Sequence, residues 1–312
     1  MPRSDDIILH HYDASPFSNK VRMLLGLKGL AWQSVVTPNM MPKPDLVSLT
    51  GGYRRAPVMQ IGADIYCDSQ VIMAEIERRF PEPLADVGPS WPINLWADRI
   101  WFQHSVAIIF GSLGDKVDPA FIEDREKLSG RPFDVKAMAA AAEPAKAQWR
   151  AQAGWIESAL TSSKTDFLCG ATATIADLAA YMNIWFLASV FPDMASDLLK
   201  GFDQLNGWRA SIEQIGQGER QEISGADAIM VAAEAEPAET TPGQAEPEAG
   251  LGMIGEKVIV SADDYGRDPI AGELIACDHQ RTVIRRTDSA TGTVTITFPQ
   301  VGFLMRETTK GA

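Results

Sequence analysis

The chain has 312 residues and a mass of 34.0 kDa, of which 46% are hydrophobic and 22% charged, an ordinary globular composition long enough for two or three domains. Its 28 Lys and Arg against 41 Asp and Glu leave a net charge of −13, so no general field attracts phosphate backbones or anionic lipids, and neither nucleic acid nor a membrane is an expected partner. Cys67, Cys169 and Cys277 lie far apart without a CxxC, which excludes a disulfide framework and a cysteine-rich zinc site and fits a reducing cytoplasm.

The first elements alternate. Ile7 to His10 is predicted as a strand, and Ser15-Pro16 then supplies an N-cap and a proline at the first helical position. The helix runs to about Leu27 and stops at Gly29. Ala31 to Val36 forms a second strand. The stretch TPNMMPKPDLVSLTGGYRRA is too rich in Pro and Gly to expect much regular structure. Pro57 to Ile61, a turn at Gly62-Ala63-Asp64, and Ile65 to Cys67 make a hairpin, after which Asp68 or Ser69 caps a helix ending near Phe80.

From about Trp91 to Ile223 the spacing is helical, with helices predicted at Pro144 to Leu160, Ile175 to Phe191 and Phe202 to Ile215. Seven of the eight tryptophans fall here, which suits a packed bundle with an apolar cleft. Seven of the excess negative charges lie between Glu219 and Gly250, and EAEPAETTPGQAEPEAG reads as an extended, self-repelling linker. Just before it, Ser224 and Asp227 cap a short helix that Pro237 stops. Strand chemistry then returns at Lys257 to Val260, Glu273 to Cys277, Thr282 to Arg285, Thr293 to Phe298 and Phe303 to Met305, which suggests a small β-barrel or roll. Asp263, Asp264, Asp268 and Glu273 lack the spacing of a calcium loop and read as a solvated turn. The expected organisation is residues 1–83, an α/β domain; 91–223, all helical; 224–250, a short helix and acidic linker; and 251–308, a small β module.

There is no GxGxxG after a strand, no Walker loop, no HExxH and no GxSxG, and His10, His11, His104 and His279 offer no metal-ligand spacing. The chemistry has to come from the first region. Ser15 sits at a helix N-terminus, where unpaired N–H groups and the helix dipole favour an anion such as a thiolate. By itself a capping role explains the residue.

The order Ser15-Pro16-Phe17-Ser18-Asn19-Lys20-Val21-Arg22, then Ala56-Pro57-Val58 before a hairpin, then Asp68-Ser69, resembles the thioredoxin-like domain of the glutathione transferases. Thr174-Ile175-Ala176-Asp177 after Phe167-Leu168-Cys169-Gly170 resembles the capping box of their helical domain, and the likeness spans roughly residues 6 to 215. The resemblance implies a thioredoxin-like domain, an all-helical domain and an extra β module. It implies glutathione as co-substrate with no metal, a small hydrophobic electrophile as the second substrate, and a homodimer. Ser15 would donate to the glutathione thiolate, with Tyr12 and Ser18 as rival hydroxyls and His11 a weaker one. A serine where related oxidoreductases carry cysteine argues against disulfide exchange.

Pro57 would be a cis-proline before an edge strand, so that Val58 pairs with the cysteinyl backbone. Ser69 and the N–H groups of Ser69 and Gln70 would hold the γ-glutamyl carboxylate, with Asp68, one methylene shorter than the family's usual Glu, facing the ammonium. Arg54 or Arg55 would meet the glycyl carboxylate, and Trp101, Phe102, Phe110 and Trp185 would line the electrophile pocket. A non-catalytic binding or scaffold protein that uses the β module as an interaction surface is the alternative.

Overall fold

The computed structural model of the chain describes residues 2–239 and 253–308. Strand β1 (Ile8–His11) leads into helix α1 (Pro16–Leu27), followed by β2 (Ala31–Val36), α2 (Pro44–Thr50), β3 (Val58–Ile61), β4 (Asp64–Cys67) and α3 (Ser69–Arg79). β1 pairs in parallel with β2 and antiparallel with β3, and β3 pairs antiparallel with β4. His10 lies opposite Val58, and Val58 opposite Cys67. The C-terminal ends of β1 and β4 and the start of β3 therefore share one edge of the sheet, and Ser15, Pro57 and Asp68 follow or precede those ends directly.

Helix α2 corrects the expectation of irregular chain after Thr37. Pro44 opens it, Asp45 sits in its first turn, and Gly51 closes it in the left-handed conformation at φ 70°, so the Pro and Gly that looked like breakers are its punctuation.

The helical layer comprises α4 (Ser90–Trp96), a π-helical turn (Ala97–Trp101), α5 (Phe102–Leu113), α6 (Pro119–Ser129), α7 (Val135–Ser163), α8 (Ile175–Val190), α9 (Pro192–Leu198) and α10 (Asp203–Glu213). α7 begins well before Pro144, which lies inside it, because Asp134 caps the Ala137 N–H at 2.9 Å and the Ala-rich run that follows favours helix. Within the bundle the wholly buried Asp177 accepts from the Thr174 N–H and Oγ1 at 2.8 and 2.6 Å, and from the Leu168 N–H and Trp208 Nε1, both at 2.8 Å.

The chain then returns to the first domain. β5 (Glu219–Glu222) adds in parallel to β2, and α11 (Gly225–Glu234) follows through a complete capping box of Ser224 and Asp227. The approach is close: Gly218, at φ 73°, lies where an added Cβ would strike the Leu30 carbonyl oxygen. Sequence reading placed residues 219–222 at the end of the helical region, where the structure has β5, and it anticipated the Ser224-capped helix; of the acidic linker after it, residues 240–250 lie outside the described residues.

The last five strands are β6 (Lys257–Ala262), β7 (Ile270–Cys277), β8 (Arg281–Asp288), β9 (Gly292–Pro299) and β10 (Phe303–Glu307). They form an open roll in which β6 lies between β10 and β7, and β9 continues into the first domain by pairing in parallel with β4. One sheet of order β10-β6-β7-β8-β9-β4-β3-β1-β2-β5 results. Leu46, Leu49, Val58 and Ile65 share a core with Leu274, Ile284, Ile296 and Phe298 of the roll. Among the described residues no helix is long and apolar enough to cross a membrane.

Two buried histidines fasten the sheet. His10 Nε2 lies 3.0 Å from Gln60 Oε1, while Gln60 Nε2 donates to the carbonyls of Gly62 and Ala228 at 3.0 and 2.8 Å, which assigns the His10 proton to Nε2 and ties α11 to β3. Burial pushes His10 down to about 4, and burial with the Arg22 charge pushes His11 down to about 3. An unfolded histidine near 6.5 binds a proton that the folded one refuses, so folding stability is present above about pH 6.5 and is lost as pH falls toward 4. The melting temperature should fall over that range, and His10→Asn should make the slope shallower whatever it does to the absolute value; an unchanged slope in the variant overturns the assignment.

Candidate functional site

Ser15 is buried at the N-cap of α1, where its Oγ accepts the Ser18 N–H at 3.1 Å. Accepting at the cap leaves the hydroxyl proton available to donate to a ligand. Ser18 Oγ, one turn further and wholly buried, has no hydrogen-bond partner among the described residues. The loop before Ser15 is braced from behind. Arg22 donates to His11 Nδ1 at 3.0 Å and to the carbonyls of Tyr12 and Asp13 at 3.4 and 3.0 Å, and its Nε donates to Gln217 Oε1 at 3.1 Å. Arg220 grips the Asp13 carboxylate at 2.7 Å. His11 is thereby occupied, since its Nε2 faces Ser34 Oγ at 2.9 Å and its ring is neutral, which removes it as a rival thiol activator. Tyr12 is half-buried, with the Lys43 ammonium 5.8 Å from its ring centre.

The Ala56–Pro57 bond is cis. β3 is not an edge strand, however. It lies between β1 and β4, and Val58 is paired on both sides, so the backbone outside the ladder is that of Ala56, before the proline, rather than Val58 as the sequence suggested.

Asp68 is the N-cap of α3. Its Oδ1 accepts the Gln70 N–H at 2.9 Å, and its backbone sits at φ 93°, a conformation few side-chain-bearing residues adopt. The Gln70 N–H expected to meet a ligand carboxylate is thus taken by Asp68, and the Gln70 side chain donates to the Val301 carbonyl at 3.0 Å. The buried Ser69 remains at the helix start with its hydroxyl and N–H.

The arginines are paired. Arg55 Nη2 meets Asp264 Oδ1 at 2.8 Å, and the guanidinium lies 4.3 Å from the Tyr265 ring centre. Arg54 reaches Asp124 at 3.3 Å and Asp268 at 3.6 Å. The aspartates read as a solvated turn are therefore ion-paired across the fold, and Glu273 pairs with Arg285 at 2.7 Å. Sequence reasoning missed Lys43, Arg99 and Tyr265. Lys43 donates to the Arg54 carbonyl at 3.0 Å, and burial together with Arg125 pushes its ammonium down to about 8. Its setting between Pro42 and Pro44, in the stretch dismissed as irregular, gave no warning.

Of the aromatic candidates, Phe102 touches α1: its ring meets that of Phe17 edge-on at 4.8 Å and stacks on Phe186 at 5.9 Å. Trp185 is half-buried next to Phe186 on α8. Phe110 packs instead with Phe121 and Phe133. Trp101 is wholly buried, stacked on Trp96, and donates to the Trp149 carbonyl at 3.2 Å, so it belongs to the core and lines no cleft.

Residues 9–84 match the glutathione S-transferase N-terminal domain, and residues 139–211 match its C-terminal domain. A GST-like protein from Pseudomonas syringae is 32% identical, with 97% of this chain and 100% of that one covered and a TM-score of 0.80. The chain belongs to the glutathione S-transferase family. The Pseudomonas likeness covers nearly the whole chain, whereas the two relatives that follow cover about two thirds of it. Glutathione S-transferase U4 of Arabidopsis thaliana is 24% identical over 68% of this chain and 87% of its own length. FzlA from C. crescentus, 24% identical over 67% of this chain and 88% of its own with a TM-score of 0.51, shares the fold.

For this transferase-family chain the strained cap gives a direct test. Asp68→Asn keeps an oxygen acceptor and tolerates positive φ, so unfolding in urea should change by less than about 1 kcal/mol. Asp68→Val loses the cap and cannot hold the backbone, and should cost about 2 kcal/mol or more. Equal stability of the two variants contradicts the role given to Asp68.

Proposed function

We propose that the chain is a glutathione transferase that holds the glutathione thiol as thiolate and delivers it to a small hydrophobic electrophile. The observation that carries the reading is the shared sheet edge, on which the Ser15 hydroxyl, the cis Ala56–Pro57 bond and the Asp68–Ser69 helix start converge. In this reading Ser69, at the positive end of α3, holds the γ-glutamyl carboxylate, Asp68 faces the ammonium, and Arg55 is the cation for the glycyl carboxylate. The Ala56 backbone pairs with the cysteinyl residue.

Ser15 then donates its O–H to sulfur. A hydrogen bond that favours the charged form lowers the thiol pKa, and the thiol proton passes to solvent. Sulfur forms its bond to the electrophilic carbon while the leaving group departs with its electron pair, or, for an epoxide or activated alkene, while the electron pair moves to oxygen or to the adjacent carbon and takes up a proton. Phe17, Phe102 and Phe186 supply an apolar wall beside α1. Halides, epoxides, ethers and activated alkenes all suit this chemistry.

Millimolar glutathione should raise the melting temperature, because a ligand that binds the native state stabilises it. With a generic aromatic electrophile, Ser15→Ala should lower kcat/KM about 10- to 100-fold, the worth of a hydrogen bond to a charged group, while Tyr12→Phe should stay near wild type. Unchanged turnover in Ser15→Ala removes Ser15 from the mechanism. Glutathione binding without turnover of any electrophile favours the scaffold reading instead. Family membership also supports a homodimer, for which light scattering should give about twice 34.0 kDa, and a mass near 34.0 kDa excludes it.

A further inference from the structure

The β6–β7 turn, residues 263–269, is built into the site edge. Its position follows from pairing: Phe303 lies opposite Ala262, and the Asp263 N–H donates to the Gly302 carbonyl at 3.0 Å, while the preceding residue, Val301, accepts from Gln70 of α3. From there the turn reaches both domains. Asp263 meets Arg99 of the π-helical turn at 2.8 Å, and Asp264 meets Arg55 at 2.8 Å and Arg99 at 3.4 Å. Asp268 meets Arg54 at 3.6 Å, and the Tyr265 carbonyl accepts from Arg55.

Gly266 donates its N–H to the Leu128 carbonyl at 2.7 Å, at the end of α6. It sits at φ 60°, and an added Cβ would come within 2.9 Å of both Arg55 Nε and Leu128 Cδ1, so the turn is seated with no room to spare. The Tyr265 ring centre lies 4.3 Å from the Arg55 guanidinium carbon. Beside Arg54, the cleft lined by Met41, Lys43, Asp124, Arg125 and Leu128 keeps only about 10 Å³ of open space, no more than one water needs.

We propose that this turn is a built-in competitor for the glutathione site. The Asp264 carboxylate takes the place on Arg55 that a ligand carboxylate would take, and the Tyr265 ring covers the same guanidinium, so the tripeptide binds only when the turn swings out. The apparent dissociation constant is then the intrinsic one divided by the open fraction. The β roll is in this way a gate as well as an extension of the sheet. The inference rests on the glutathione reading above.

Calorimetric titration of glutathione into the full chain, its Asp264→Ala/Tyr265→Ala variant and its Asp264→Asn variant tests it, with hydrogen exchange of residues 263–269 followed in wild type. The expected result is at least tenfold tighter binding in the double variant, a smaller gain in Asp264→Asn, and faster exchange of the turn at saturating glutathione. Binding by the variants alone also supports the gate. Equal affinities in all three proteins, with exchange unaltered by glutathione, overturn the gate and leave the transferase reading standing. No binding by any of them at 10-fold above millimolar concentration overturns both. Should the double variant fail to fold, the Asp264→Asn affinity and the wild-type exchange decide the matter.

Discussion

Everything distinctive about this chain hangs on a three-residue parallel ladder, Asp64 to Tyr66 of β4 against Thr295 to Thr297 of β9. A ladder so short is marginal by its hydrogen bonds alone. It persists because both faces of the joint are engaged. Ile65 and Ile296 are wholly buried in one core, Thr295 Oγ1 donates to the Asp64 carboxylate at 2.5 Å, and the Thr295 N–H donates to the Ala63 carbonyl at 3.1 Å. The ladder also covers what would otherwise be an open edge of the thioredoxin-like sheet.

Once β9 is fixed on β4, the rest of the roll has little freedom. The strand runs in the same direction as β4, so the turn that follows it emerges beside the start of α3, and Val301 meets Gln70. β10 then carries β6 with it, and the β6–β7 turn falls across the cleft between the sheet edge and the helical layer. At the opposite edge, β5 and the residues before it wrap behind the Tyr12–Asp13 loop through Gln217 and Arg220. The candidate site is thus built from the first domain, covered by the last segment and braced by the one between.

Charge supports this arrangement. The cleft side contributes Arg54, Arg55 and Arg99, and the turn answers with Asp268, Asp264 and Asp263. Arg55 is nearly enclosed, and a cation taken out of water needs a partner at close range. In the proposed gate an anionic ligand and the acidic turn compete for this one partner.

Much of this was legible in the sequence. Ser15-Pro16 announced α1, because a cap and a proline at the first helical position are local signals, and the hairpin, the Ser224 cap and the five late strands were read from the same short-range chemistry, while the Thr174 capping box came from the family resemblance. Pro44 and Gly51 carried equally local signals and were misread as breakers, since a cap and a breaker are the same residue seen from opposite sides of a helix end.

What the sequence could not show was partnership at long range. Nothing in Asp263-Asp264-Tyr265 distinguishes a solvated turn from one docked on Arg55, more than 200 residues away, and nothing in Val58 tells whether its strand is an edge or a centre. Local composition determined which elements form; the pairing of β9 with β4 and of β5 with β2 decided which surfaces meet, because strand partners are selected by shared burial across the whole fold rather than by neighbours along the chain.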